Sequence, residues 1–273
     1  MSVWVNGRRG GALDPGDRGL QYGDGLFETM RVRRGAVRLL GLHLERLYAG
    51  CARLDLRPPP RARLRRELER AAAQADEAVL KLIVTRGAGS RGYRPSGTLR
   101  ATRIVSLHPP PPARGAGRAV VIRLCATPVG INPRLAGMKT LNRLESVLAR
   151  GEWRDERIWE GLMADTDGYL VCGTMSNLFV RRGSFLLTPA LDRCGVAGVM
   201  RRWVLEQAPA AGLRAVEGRL RLEDVERADE VFMTNAVAGV VAVAALARGR
   251  RRLRLPATGH TAARAFGARL EAL

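Results

Sequence analysis

Asn132-Pro133-Arg134-Leu135-Ala136-Gly137-Met138-Lys139-Thr140-Leu141-Asn142-Arg143-Leu144-Glu145 runs from turn-forming residues through one lysine into an amphipathic helix, expected over residues 141–150. The lysine matters because this chain almost never uses one. Of its 46 basic residues, Lys81 and Lys139 alone are lysines. Arginine stays protonated and is a poor nucleophile, whereas a lysine amine of depressed pKa can form a Schiff base or shuttle a proton. Lys81 lies in the apolar run Val79-Leu80-Lys81-Leu82-Ile83-Val84, which reads as a strand where a lysine need only supply charge and stem. Lys139 is either a solvated surface charge or a reactive amine. Its rarity raises the second reading.

Working outward from that segment, the first part of the chain alternates strands and helices. Strand Val3-Trp4-Val5 precedes an Asn6-Gly7 turn, and strand 27–32 turns at 33–35 into a return over 36–40. Between them, residues 17–25 are too rich in glycine for regular structure. Helices are expected at 42–54 and at about 61–75, followed by the Lys81 strand and a strand at 103–107. His108-Pro109-Pro110-Pro111-Pro112-Ala113-Arg114-Gly115-Ala116-Gly117 is stiff, extended and poor in core residues. It sets the expected division: a domain at 1–108, a Pro/Gly linker at 109–118, and a second domain at 119–273. Short strands predominate beyond it, at 119–124, 161–164, 169–171, 177–180, 185–187 and 230–233, with helices at 141–150 and 199–207. The expected fold class is α+β in two domains.

Composition excludes several functions. No apolar run approaches the ~20 residues needed to span a bilayer, and the start Met1-Ser2-Val3-Trp4-Val5-Asn6-Gly7 lacks the pattern of a signal peptide. Cys51, Cys125, Cys172 and Cys194 are far apart and the three histidines are scattered, so neither a metal site nor a disulfide framework is expected. The expected location is cytoplasmic. A net charge of +20 invites a nucleic-acid partner. Outside the clusters at 61–66 and 248–252, however, the arginines are spread along the chain, and aromatics make up only 5%. With so little stacking material, no specific nucleic acid and no membrane partner are expected.

Three glycine-rich segments remain as candidates for chemistry. Tyr22-Gly23-Asp24-Gly25 fits neither a P-loop nor a dinucleotide fingerprint. Arg86-Gly87-Ala88-Gly89-Ser90-Arg91-Gly92-Tyr93 suits capture of a carboxylate or phosphate, and equally a plain turn. Gly195-Val196-Ala197-Gly198-Val199-Met200 leads into a helix whose first N–H groups suit an anion, although such turns are more often ordinary loops.

Taken together, in order and spacing, the chain resembles the fold-type IV pyridoxal-phosphate enzymes. The matching blocks are Asp17-Arg18 through Val32, His43-Leu44-Glu45-Arg46-Leu47, Leu80-Lys81 through Tyr93, residues 132–148, Ser176-Asn177-Leu178-Phe179, Thr188-Pro189 through Arg201, and Asp229-Glu230 through Ala236. The block from Leu135 to Glu145 is similar to that of the lyases acting on 4-amino-4-deoxychorismate, more than to that of the aminotransferases for branched-chain or D-amino acids.

The resemblance implies a smaller N-terminal α/β sandwich domain and a larger C-terminal β-barrel-like domain with helices. It further implies a homodimer, pyridoxal 5′-phosphate as cofactor, and release of pyruvate and 4-aminobenzoate from 4-amino-4-deoxychorismate. Lys139 matches the lysine that holds the cofactor and then moves protons, and Arg46 the arginine on its phosphate. Val199, Met200, Asn235 and Ala236 match the other phosphate contacts. Arg91 and Tyr93 match positions that meet substrate carboxylate, and Thr29 a hydroxyl facing the reacting atoms.

Cys172 departs from the family pattern. It stands five residues before Asn177, where the family carries a glutamate on the pyridine nitrogen. A neutral thiol cannot hold a proton there as a carboxylate does, which argues against efficient transamination. A lyase tolerates the change better, because aromatisation of the substrate ring helps drive the reaction. The alternatives are a buried structural cysteine in a chain of lost or changed activity, an aminotransferase for D- or branched-chain amino acids, and a basic nucleic-acid-binding protein.

Overall fold

Asn6 and Gly7 take φ values of 52° and 85°, the left-handed conformations an Asn-Gly hairpin turn requires. They join β1 (Ser2–Val5) to β2 (Arg8–Arg9). The computed structural model describes every residue except 1, 90, 96–98, 113–117, 250 and 257–259. By internal contacts the chain divides into two units, Met1–Pro111 with Met138–Asn142, and Pro112–Gly137 with Arg143–Leu273. Half of the expected 109–118 linker, residues 113–117, lies outside the described residues.

The first unit continues with α1 (Arg18–Tyr22), β3 (Gly25–Arg33), β4 (Ala36–Val37), α2 (Leu40–Arg53), α3 (Arg61–Ala72), β5 (Glu77–Thr85) and β6 (Thr102–His108). Its antiparallel sheet has the order β2-β1-β6-β5-β3-β4. Burial alternates along β3 and β5 with the period of a strand, so Met30, Val32, Leu80 and Leu82 face the core. Helix α2 packs on β3, and α3 on β5 and β6. They bring the buried Leu44, Leu47, Leu64 and Leu68.

Two expectations are corrected here. Residues 17–25 do form regular structure, the short helix α1. Asp17 caps it by accepting from the Gly19 N–H at 2.8 Å, and the same carboxylate accepts from Thr85 Oγ1 at 2.9 Å. The helix expected from residue 141 starts instead at Leu144. The reason is pairing. The Phe27 N–H donates to the Lys139 carbonyl (3.0 Å) and the Leu141 N–H to the Gly25 carbonyl (3.1 Å), so 138–142 lies extended along the start of β3.

The second unit holds β7 (Val120–Leu124), α4 (Leu144–Gly151), β8 (Ile158–Ala164), β9 (Leu170–Gly173), β10 (Asn177–Arg182), β11 (Phe185–Pro189) and α5 (Val199–Gln207). There follow β12 (Arg214–Gly218), α6 (Leu222–Glu226), β13 (Glu230–Asn235), β14 (Gly239–Arg248), β15 (Arg251–Arg254) and α7 (Thr261–Glu271). A nine-stranded mixed sheet runs β12-β11-β10-β13-β14-β7-β8-β9, with β15 on β14. Ile122, Leu162, Leu178, Val231 and Met233 form its main core. Phe179, Phe232, Phe266 and Trp203 make a run of ring contacts from β10 and β13 to α7 and α5. The fully buried Glu230 accepts from the Ala262 and Ala263 N–H groups (3.1 and 2.8 Å) and satisfies the first turn of α7. The α+β class is the one expected.

Candidate active site

In the first unit both lysines converge on one ring. The Lys139 Nζ stands 4.1 Å from the Phe27 ring centroid and the Lys81 Nζ 5.5 Å from it. Strand alternation sets Phe27 and Thr29 on the same half-buried face of β3, and Thr29 pairs directly with Lys81. The extended 138–142 segment is what delivers Lys139 to this face.

Glu28, one residue along β3, points to the opposite, buried face. His43 Nδ1 lies 2.6 Å from its Oε2, Arg46 Nε donates to Oε1 at 2.8 Å, and Arg46 Nη2 donates to Oε2. Burial pushes the Glu28 carboxyl up, but Arg46 and then His43 outweigh it and hold it at about 2. For His43, burial comes first and lowers the pKa. Glu28 opposes it, and the positive charges of Arg46 and Lys139 add to the lowering. The imidazole is therefore neutral and donates from Nδ1. Among the described residues Nε2 has no hydrogen-bond partner.

Arg91 and Tyr93 are exposed, Tyr93 at 87%. The Tyr93 ring meets Tyr22 edge-on at 5.5 Å, and the surrounding loop is tied to α1 by the Arg18 N–H to the Gly87 carbonyl (2.9 Å) and to the turn before α1 by the Gly89 N–H to the Gly16 carbonyl (3.2 Å).

In the second unit the buried Glu160 carboxylate on β8 organises the turn between β9 and β10. It accepts from Thr174 Oγ1 (2.6 Å), Ser176 Oγ (2.7 Å) and the N–H groups of Gly161, Thr174 and Met175. That turn links Cys172 to Asn177. Burial, and after it the negative charge of Glu160, push the Cys172 thiol up to about 12, so it is neutral at physiological pH.

Asn177 Nδ2 donates to the Val196 carbonyl at 2.9 Å, just ahead of α5. A Cβ on Gly198 would overlap Asn177 Oδ1, so glycine is needed for this close approach. Gly198 supplies no side-chain cap, which leaves the first N–H groups of α5, at Val199 and Met200, suited to an anion. Asn235 Oδ1 accepts from the Val237 and Ala238 N–H groups (3.0 and 2.7 Å) and shapes the turn that contains Ala236.

Lys139 and Thr29 thus share one sheet face, while Arg46 belongs to the buried Glu28 group. Sequence reasoning missed Phe27, Glu28, His43 and Glu160. A glutamate on the core face of an alternating strand was the available signal for Glu28. Glu160 gave none, because apart from the neighbouring Gly161 N–H its donors lie on a turn more than ten residues away.

The amino-transferase class IV family profile matches residues 25–246. The aminodeoxychorismate lyase of Vibrio harveyi is 35% identical over 256 residues, 93% of this chain and 94% of that protein. A putative branched-chain-amino-acid aminotransferase of Methanocaldococcus jannaschii is 31% identical over 253 residues, 89% of this chain and 87% of that protein. The crystal structure of 4-amino-4-deoxychorismate lyase from Pseudomonas aeruginosa superposes with a TM-score of 0.92 at 43% identity, covering 99% of this chain and 98% of that one. Enzymes of this family are built on fold type IV and work with pyridoxal 5′-phosphate. A profile match over most of the chain and full-length likeness to its enzymes make this chain a member of the amino-transferase class IV family.

Proposed function

We propose that the chain is a pyridoxal-phosphate-dependent lyase that converts 4-amino-4-deoxychorismate to 4-aminobenzoate and pyruvate. The observation that carries this reading is the rare lysine: Lys139 is delivered to a half-buried sheet face beside Phe27 and Thr29, in a chain whose full-length relatives include two named lyases of this kind.

The donor set suits the cofactor at two of its three ends. Lys139 offers the amine for its aldehyde. Within the second unit the Val199 and Met200 N–H groups and the turn at Asn235 and Ala236 suit its phosphate dianion, and the resemblance adds the Arg46 guanidinium. At the ring nitrogen the resemblance assigns Cys172, whose neutral thiol cannot serve as a counter-charge.

When bound, pyridoxal phosphate takes up the charge left when a proton departs from the amine-bearing carbon. Lys139 Nζ removes that proton and can return one to the departing three-carbon group, so protons balance across the reaction. Thr29 presents its hydroxyl on the same sheet face. Arg91 and Tyr93 recognise substrate carboxylate. With a weak partner at the ring nitrogen, the reaction best supported is one driven by aromatisation of the substrate ring.

The working form is proposed to be a homodimer, supported by Leu144, Val147 and Leu148, which are 63–76% exposed on one side of α4. A cytoplasmic location fits the four free cysteines.

The test is pyruvate release from 4-amino-4-deoxychorismate by protein carrying a visible absorption band that borohydride abolishes. Lys139→Ala should lose both band and turnover, and Lys81→Arg should keep the band. Full turnover by Lys139→Ala would rule out the assignment. Amino exchange between an amino acid and a keto acid, without pyruvate release from the chorismate derivative, would favour the aminotransferase reading.

A further inference from the structure

Arg18 is 3% exposed, at the start of a glycine-rich stretch that the proposed chemistry leaves without a role. Every polar edge of its guanidinium is engaged. Nε donates to Asp24 Oδ2 at 2.9 Å, Nη1 to the Gly92 carbonyl at 2.8 Å, and Nη2 to the Tyr93 carbonyl at 2.8 Å. The plane lies 4.8 Å from the Tyr22 ring centroid, and the Tyr22 hydroxyl accepts from the Gly92 N–H at 3.2 Å. Asp24 is itself clamped by Arg86, whose Nε and Nη2 reach its two oxygens at 2.7 and 3.1 Å. Arg86 also donates to the carbonyls of Leu54 and Asp55, at the end of α2. A buried cation thus fastens two successive carbonyls of an exposed loop to a carboxylate anchored in the body of the unit. Those carbonyls belong to Gly92 and Tyr93, next to the exposed Arg91. Gly92 has a φ of 94°, one of many conformations glycine reaches at similar cost, so the bonds to Arg18 are what select this one.

We propose that Arg18 is a positioning residue for substrate recognition: by capping the Gly92 and Tyr93 carbonyls it holds residues 91–93 in the one conformation that presents Arg91 and Tyr93 to the substrate's carboxylates. The inference rests on the assignment of Arg91 and Tyr93 to substrate binding. Arg18 does not touch the substrate. Its effect is on the fraction of molecules whose loop is ready to bind, and apparent affinity falls in proportion to that fraction. Once the complex has formed, the bond-breaking steps are unchanged, so KM moves and kcat does not.

The test is Arg18→Lys in the cofactor-loaded enzyme. An ammonium keeps the charge opposite Asp24 but cannot bridge both carbonyls as a planar fork does. KM for 4-amino-4-deoxychorismate should rise about tenfold, with kcat within about twofold and the visible spectrum unaltered. Trypsin cleavage after Arg91 should accelerate about tenfold or more, because a tenfold loss of the ready form leaves most molecules with the loop open, while cleavage elsewhere stays constant. Tyr22→Phe removes only the acceptor for the Gly92 N–H and should act in the same direction by about threefold. It serves as the readout if Arg18→Lys does not fold. Arg91→Ala tests the underlying assignment. If it raises KM, Arg18→Lys added to it should have less than its full effect, because the loop then has only Tyr93 left to present. A lowered kcat at constant KM, faster cleavage at all sites alike, or full additivity with Arg91→Ala would each overturn the role of Arg18. Faster cleavage at Arg91 alone, with KM unmoved in both Arg18→Lys and Arg91→Ala, would dismiss the substrate assignment of the loop and the role of Arg18 with it.

Discussion

Replacing Glu28 by glutamine should change how stability depends on pH in a way that separates charge from packing. The side chain keeps its volume and loses its charge. In the native protein the Glu28 side chain is 2% exposed and held at about 2, against an ordinary value of 4.5. That gap corresponds to about 3 kcal/mol of stability at neutral pH, in line with the cost of breaking one side of a buried ion pair. Because the folded carboxyl is more acidic than the unfolded one, this contribution is complete above pH 4.5. It is lost as the pH falls towards 2. His43 acts with the same sign in a higher window. Its pKa is lowered on folding, so its contribution is complete above 6.5 and declines below it. Urea unfolding of both proteins at a series of pH values from 8 to 3 would measure the difference, with the denaturant slope checked for constancy. At pH 7, Glu28→Gln should be less stable by about 3 kcal/mol, and more than half of that deficit should be gone by about pH 3. Two parallel curves, offset equally at every pH, would show that the loss is one of packing and that the Arg46–Glu28–His43 group does not hold the charge.

Arg46→Ala should weaken pyridoxal-phosphate binding ten- to a hundredfold, the equivalent of one charge-assisted contact of about 1.5–3 kcal/mol, with little change in kcat at saturating cofactor; an unchanged dissociation constant removes Arg46 from the phosphate site. Cys172→Glu should speed a transamination side reaction more than lyase turnover, both measured on one cofactor-saturated preparation, and equal changes would leave the ring-nitrogen assignment unsupported. The same substitution should lower thermal stability, since it sets a second carboxylate near the buried Glu160. Leu144→Glu with Leu148→Glu should shift the protein from dimer to monomer in sedimentation equilibrium; a dimer that persists would move the interface away from α4.

What could be read in the sequence follows from the range of the forces involved. The β1–β2 turn, the strands β3 and β5 and the helices α2 and α5 carry local signals, either side-chain periodicity or Asn-Gly chemistry. Helix α1 was hidden because Asp17 is fixed partly by Thr85, which is 68 residues away. The start of α4 shifted because Gly25 and Phe27 capture the backbone of 139–141. Strand β14 went unread. Its stretch Gly239–Arg248 sets four helix-favouring alanines among strand-favouring valines, and it is extended because β13, β7 and β15 pair with it. At the site, Lys139 was legible through its rarity. The Glu28–His43–Arg46 group was not, since its members lie on two elements whose contact only the folded unit creates.

The extended segment Met138–Asn142 belongs to the first unit, although the chain has by then already entered the second. On a ribosome the first sheet is therefore complete only after residue 142 has emerged. Until then the Gly25 carbonyl and the Phe27 N–H, both paired by this segment in the finished protein, wait for partners. Emergence at about 5–20 residues per second makes that a delay of seconds. A chain cut anywhere between residues 112 and 137 should yield an N-terminal fragment with an unfinished edge, prone to pair with another copy of itself. The unit regains its missing stretch only when 138–142 is supplied in the same chain or as a separate peptide.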